Sequence, residues 1–155
     1  MRGAGFAMSF NKSSDAALEI FSILNAADMT IEILSCHLGQ TNLEGDAAAE
    51  MLGVNLSRFT GTQGATGSTD PTARAMMTGF PSNIGTAIEA GVTNTSATQT
   101  LLEEQSFNLQ AGWDYAPIPE ERWWLSPSEG FVIAIPAPTG SVDWVGTFRW
   151  MEYGG

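Results

Sequence analysis

Along much of this chain every second residue is apolar, and that period of two constrains the fold more than any other feature. Side chains of an extended strand alternate between two faces, so a period of two reads as a strand with one face buried. Phe107, Leu109, Ala111, Trp113 and Tyr115 share one face of a segment from Phe107 to Tyr115, with Asn108, Gln110, Gly112 and Asp114 opposite. Met51 to Phe59 repeats the pattern, with Leu52, Val54 and Leu56 inward and Asn55 and Ser57 outward. Val142, Trp144, Phe148 and Trp150 line up between Val142 and Tyr153, and Phe6, Met8 and Phe10 do so near the start. Phe131, Ile133 and Ile135 form a shorter buried strand that ends at Pro136. Ile31 and Ile33 begin inward, and the pattern then passes to Leu34, Cys36 and Leu38. Such a change of face points to a β-bulge or to a strand covered on both sides.

Two segments are less regular. Asp15 to Leu24 carries Ala17, Ile20, Phe21 and Leu24 at helical spacing, with Ser13 or Ser14 as a cap, yet Glu19 to Ile23 also fits a short strand. The strand is preferred, because the surrounding chain is β and its neighbours need pairing. Asp46 to Met51 fits one helical turn before its strand. Ala116-Pro117-Ile118-Pro119, Ser126-Pro127-Ser128 and Pro136-Ala137-Pro138-Thr139-Gly140 punctuate the strands. Short strands between Pro/Gly turns predict an all-β fold, a single jelly-roll-like β-sandwich. The length of 155 residues suits one domain spanning 1–155.

Thr60 to Thr100 departs from this pattern. Its 41 residues hold eleven Thr, six Gly and only three charges, Asp70, Arg74 and Glu89. We expect a long Thr/Gly-rich excursion, with a short strand around Thr86 to Val92. Met76, Met77, Phe80, Ile84 and Ile88 within it need burial, which an arm lying on a neighbouring subunit would supply.

Charge narrows the partners. Seventeen acidic residues stand against six basic ones, a net charge of −11. The basic residues are scattered and Lys12 is the only lysine. Binding to phosphate backbones or anionic lipid needs clustered Lys and Arg, so neither nucleic acid nor a membrane surface is expected. No apolar run approaches the ~20 residues that span a bilayer, and Met1 to Phe10 does not read as a signal peptide. Charged residues are only 15% of the chain, whereas Ser, Thr, Asn and Gln number 40. An uncharged polar surface loses little on desolvation, which suits a protein that buries much of itself against partners.

Catalytic motifs are sparse. The lone histidine, His37, adjoins the lone cysteine, Cys36, and strand neighbours point apart. They make a poor nucleophile pair, and His37 reads as structural. Neither residue belongs to a multi-ligand metal set, and no Asp-rich calcium loop occurs. Asp46 and Glu50 remain as a weak cation pair between subunits. The glycines from Gly61 to Gly67 lack the lysine and strand-to-helix setting of a phosphate loop. Glu103-Glu104 and Glu120-Glu121 are sequence neighbours that face apart, although carboxylates from separate strands can converge. Glycoside hydrolysis would need two of them facing across a cleft. No enzyme activity and no cofactor are therefore expected.

All five tryptophans fall in the last 43 residues. Trp113 and Trp144 fit the core. Trp123 and Trp124 are adjacent, so one of them should point outward beside Arg122, Glu120 and Glu121. An outward Trp there is either an interface anchor or a platform for a sugar ring.

The succession of features is also familiar. Gly45-Asp46-Ala47-Ala48-Ala49-Glu50-Met51-Leu52 leads into an alternating strand and Thr60-Gly61. Phe107 to Tyr115, the Pro117-Ile118-Pro119-Glu120-Glu121-Arg122 turn and the closing strand Gly146-Thr147-Phe148-Arg149-Trp150 follow. From about Asp15 onward this order resembles the capsid decoration or cement proteins of tailed bacteriophages and prophages. The resemblance implies an all-β homo-oligomer, a trimer favoured, on the outer surface of a virion's head shell, bound to the major capsid protein and without catalytic residues. The candidate contacts are Met76, Met77, Phe80, Ile84, Ile88, Arg122, Trp123 and Trp124. The alternative is a carbohydrate- or receptor-binding sandwich module of a tail or fibre.

Overall fold

A computed structural model describes residues 3–41, 50–65, 72–77 and 87–154. Among these residues eleven strands run in chain order. They are β1 (Ala4–Ser14), β2 (Leu18–Leu24), β3 (Met29–Gln40), β4 (Met51–Thr60), β5 (Arg74–Ala75) and β6 (Ala87–Val92). They continue as β7 (Gln99–Asn108), β8 (Trp113–Tyr115), β9 (Trp124–Leu125), β10 (Glu129–Ile135) and β11 (Val142–Gly154). A 3-10 turn at Pro119–Glu121 is the only helical element among the described residues.

The strands form two antiparallel sheets. The first has the order β5-β1-β11-β3-β8, with β9 also on β3, and the second has β6-β2-β10-β4-β7. Setting aside the short additions β5, β6 and β9, the chain places β1, β3, β8 and β11 in one sheet and β2, β4, β7 and β10 in the other. The last strand of each sheet slots beside its first. That interleaving is the strand order of a jelly roll, so the expected sandwich is observed.

The core lies between the sheets. From the first come Phe6, Met8, Phe10, Trp144, Phe148 and Trp150; from the second, Phe21, Ile23, Leu56, Phe131 and Ile133, all buried. A run of ring contacts crosses the interior. Phe10 meets Phe21 edge-on at 5.0 Å, Phe21 stacks on Phe148 at 5.3 Å, and Phe148, Trp150 and Phe6 follow at 5.7 and 5.8 Å.

Three bulges adjust the alternation. In β3 the register against β11 skips Leu34, between Ile33 and Ser35, so the expected change of face is a bulge at that residue. In β2 the register against β10 skips Ile20, which lets both Ile20 and Phe21 reach the core. A one-residue offset is what gave this strand its helical spacing in the sequence. In β7 the extra residue is Leu102.

One expected strand is corrected. Phe107 to Tyr115 is not continuous: β7 ends at Asn108 and β8 begins at Trp113, in the other sheet. Asn108 builds the turn, its Oδ1 accepting from Gln110 N at 2.9 Å and its carbonyl from Ala111 N at 3.0 Å. Gly112 has φ of +76°, and a Cβ there would lie 2.8 Å from Leu38 O. Phe107 and Trp113 still face one core, but from opposite sides of the sandwich. A shared interior therefore imitates the period of a single strand.

The described parts of the Thr/Gly-rich excursion lie on the chain's own sheets. Residues 61–65 leave β4, β5 pairs with Phe6 and Ala7 of β1, and β6 pairs with β2 as the short strand expected there. The helical turn expected at Asp46–Met51 falls mostly outside the described residues.

Candidate functional site

The two outer faces differ. On the second sheet, Glu19, Ser22, Ser57, Phe59, Val92 and Val132 are buried, and residues 61–65 and 93–98 bond to or pack on Glu19, Ser22 and Val92. Glu19 organises that cover. Its Oε1 accepts from Ser96 N at 2.6 Å and Gln99 Nε2 at 2.8 Å, and its Oε2 accepts from Ser96 Oγ at 2.7 Å. Gly64 N donates to Ser96 Oγ at 3.0 Å and Gln63 Nε2 to Ser22 Oγ at 2.8 Å. Ala97 N donates to Thr62 O at 2.9 Å, closing the two loops on each other. The sole lysine serves the same sheet: the Lys12 ammonium donates to Gly91 O, and burial lowers its pKa.

On the first sheet, among the described residues, the corresponding middle is exposed. Ser9, Asn11 and Ser13 of β1, Thr147 and Arg149 of β11, Ser35 and His37 of β3 and Asp114 of β8 form its outer surface. Ser9 and Thr147 hydroxyls are 3.0 Å apart, and Arg149 Nη1 donates to Ser35 Oγ at 3.4 Å. His37 Nδ1 lies 2.6 Å from Asp114 Oδ1, with both side chains exposed. Cys36 points the other way into the core, as strand geometry requires, and burial raises its thiol pKa well above the ordinary value, with Asp114 adding to the effect.

One end of this sheet carries an aromatic cluster. Trp123 packs against the core, whereas Trp124 turns outward and is 46% exposed. Trp124 stacks on Tyr153 at 5.3 Å and 28°. Tyr153 OH donates to Glu32 Oε2 at 2.5 Å, and Arg122 Nη1 donates to Glu32 Oε1 at 2.9 Å. Glu32 is itself 5% exposed. Desolvation, then the hydrogen bond and charge of Glu32, push the Tyr153 pKa up to about 12. Arg58 Nη2 donates to Trp124 O at 3.1 Å and so holds the strand from the second sheet.

The remaining candidates separate. Met76 and Met77 are exposed just after β5, and Ile88 on β6 is partly buried against the core. Phe80 and Ile84 lie outside the described residues, as does Asp46. Glu50 is engaged with Thr139, accepting from its N at 3.1 Å and its Oγ1 at 2.9 Å. Glu103 and Glu121 do converge from separate elements. With Glu120, Arg122 and Trp123 they line an open groove of about 520 Å³. Glu120 and Glu121 stand in solvent there rather than inside an enclosed cleft. Among the described residues no group of three or more His, Cys, Asp or Glu is placed to hold a metal ion.

Glu19 and Glu32 were missed as organising residues in the sequence. The available signal was a carboxylate inside an otherwise apolar strand, Leu18-Glu19-Ile20-Phe21 and Ile31-Glu32-Ile33-Leu34. No protein-family model matches the chain, and no curated protein gives a significant match.

Proposed function

We propose that this chain is a non-enzymatic virion structural protein, a cement or decoration protein that binds the outside of a phage head shell and stabilises it. The observation that carries the reading is the open outer face of the first sheet, whose middle is built mainly of hydroxyl, amide and small side chains. Burying such a face costs little desolvation compared with burying a charged one. The net charge of −11 adds that the protein is repelled by packaged DNA and must act on the shell's protein surface. Cementing works by mass action, because a protein that binds the assembled shell better than its separated subunits shifts the balance toward the shell. A homo-oligomer bridging several copies of the major capsid protein multiplies weak contacts, and a trimer suits threefold positions.

The test compares particles stripped of the protein with the same particles after it is added back, under heating and osmotic shock. Added protein should raise survival, and Ser9→Glu alone, at an exposed position of this face, should reduce the gain, with circular dichroism checking that the fold is kept. Equal survival with and without the protein would overturn the reading.

A further inference from the structure

The aromatic cluster at Trp124 and the neighbouring groove together have the makings of a small-molecule site, and this stands independently of the cement reading. The Trp124 ring is braced on one side by Tyr153. Tyr153 lies against it, Gly3 packs so closely on Tyr153 that a Cβ there would be 2.6 Å from the ring, and the phenol is tied to Glu32. Arg122 bonds the same Glu32 and also lines the groove with Trp123, Glu103, Glu120 and Glu121. Arg122 lines the groove and is linked to the Trp124 platform through Glu32 and Tyr153, although Trp124 is not itself part of the groove's lining.

We infer that this surface binds a neutral oligosaccharide, with one sugar ring on Trp124 and its neighbours along the groove. The chemistry of the lining selects that class. A pyranose presents one face of C–H groups and a rim of hydroxyls. Here an exposed indole is backed by Tyr153, and the groove lined by Arg122 carries carboxylates that accept from hydroxyls. Exposed apolar side chains do lie nearby, Ile118 at the start of the turn and Met76 beside Gly5, so a protein anchor is the competing occupant that titration with sugars decides against. Three glutamates in the groove repel acidic sugars, so the ligand carries no negative charge. Because Trp124 already rests on Tyr153, less ring freedom remains to be lost on binding.

The experiment titrates the full chain, by calorimetry and saturation-transfer NMR, with neutral trisaccharides of glucose, galactose and N-acetylglucosamine and with a sialylated trisaccharide. At least one neutral trisaccharide should saturate with a dissociation constant on the order of 1 mM, and the sialylated one should not. Trp124→Ala should weaken binding at least about tenfold, while Trp124→Phe keeps a ring and part of the affinity. Glu121→Gln, on the exposed groove wall, should weaken the trisaccharide more than the matching monosaccharide. Binding by none of the neutral sugars up to ~10 mM would overturn the inference. So would equal binding of the sialylated sugar, or affinity unchanged in folded Trp124→Ala.

Discussion

A carboxylate buried in a β-sheet is stable only when donors surround it, and Glu19 has three, from Ser96 and Gln99, with no cation among the described residues bonded to it. Glu19→Ala removes both acceptor oxygens, and with them three hydrogen bonds, and leaves Ser96 N buried without its partner. The expected loss is about 3 kcal/mol in chemical denaturation, with faster hydrogen exchange at the Ser96 amide than at β10 amides. Glu19→Gln keeps one acceptor oxygen and should lose less. Cys36 behaves oppositely, as a buried group with nothing to do. Its raised pKa and its burial keep it protonated and shielded, so a thiol reagent at pH 8 should react only as fast as the chain unfolds. Reaction with the native protein at the rate of a free thiol would contradict the packing.

At the scale of elements, the passage from β7 to β8 decides where several aromatic residues go. Gly112 is held at a positive φ against the Leu38 carbonyl, so Gly112→Ala should cost about 1–3 kcal/mol and shift the denaturation midpoint without changing its slope. The alternation around it was plain in the sequence, but the break was not, because an Asn-anchored turn inside a sandwich can keep apolar residues on the core side. The bulge at Leu34 was legible, since a change of face leaves a mark in the pattern. The bulge at Ile20 left a mark that read equally as a helix, and only pairing with β10 distinguishes the two. β7 shows how an edge is kept from further pairing. It borders the second sheet with Glu103 and Glu104 on it and the bulge at Leu102.

For the whole molecule, alkaline pH provides a clean test, because the chain has only two tyrosines. Tyr115 is pushed up to about 12, by burial first and Glu103 next, and Tyr153 to about 12 by burial and Glu32. An unfolded tyrosine titrates near 10. The native state therefore holds protons that the unfolded state gives up, so stability is full below about pH 10 and falls as pH rises toward 12. Absorbance of phenolate should show almost no titration at pH 10.5 in the native protein and substantial titration in denaturant. Ionisation near 10 in the folded state would mean that neither ring sits as described.

The sequence by itself determined the fold class, the strand faces and most of the core, because alternation and turn chemistry are local and each strand records which side is buried. It also brought Arg122, Trp123 and Trp124 forward and required one Trp to point outward. Tertiary structure alone decided which strand pairs with which, that the excursion's described parts return to the chain's own sheets, and that Glu32 joins Tyr153 to Arg122 across 121 and 90 residues of chain. Such contacts join residues far apart along the chain, and hydrogen bonds between distant side chains leave no period to read. The open and covered faces likewise depend on where two loops come to rest on a sheet, which only the folded chain specifies.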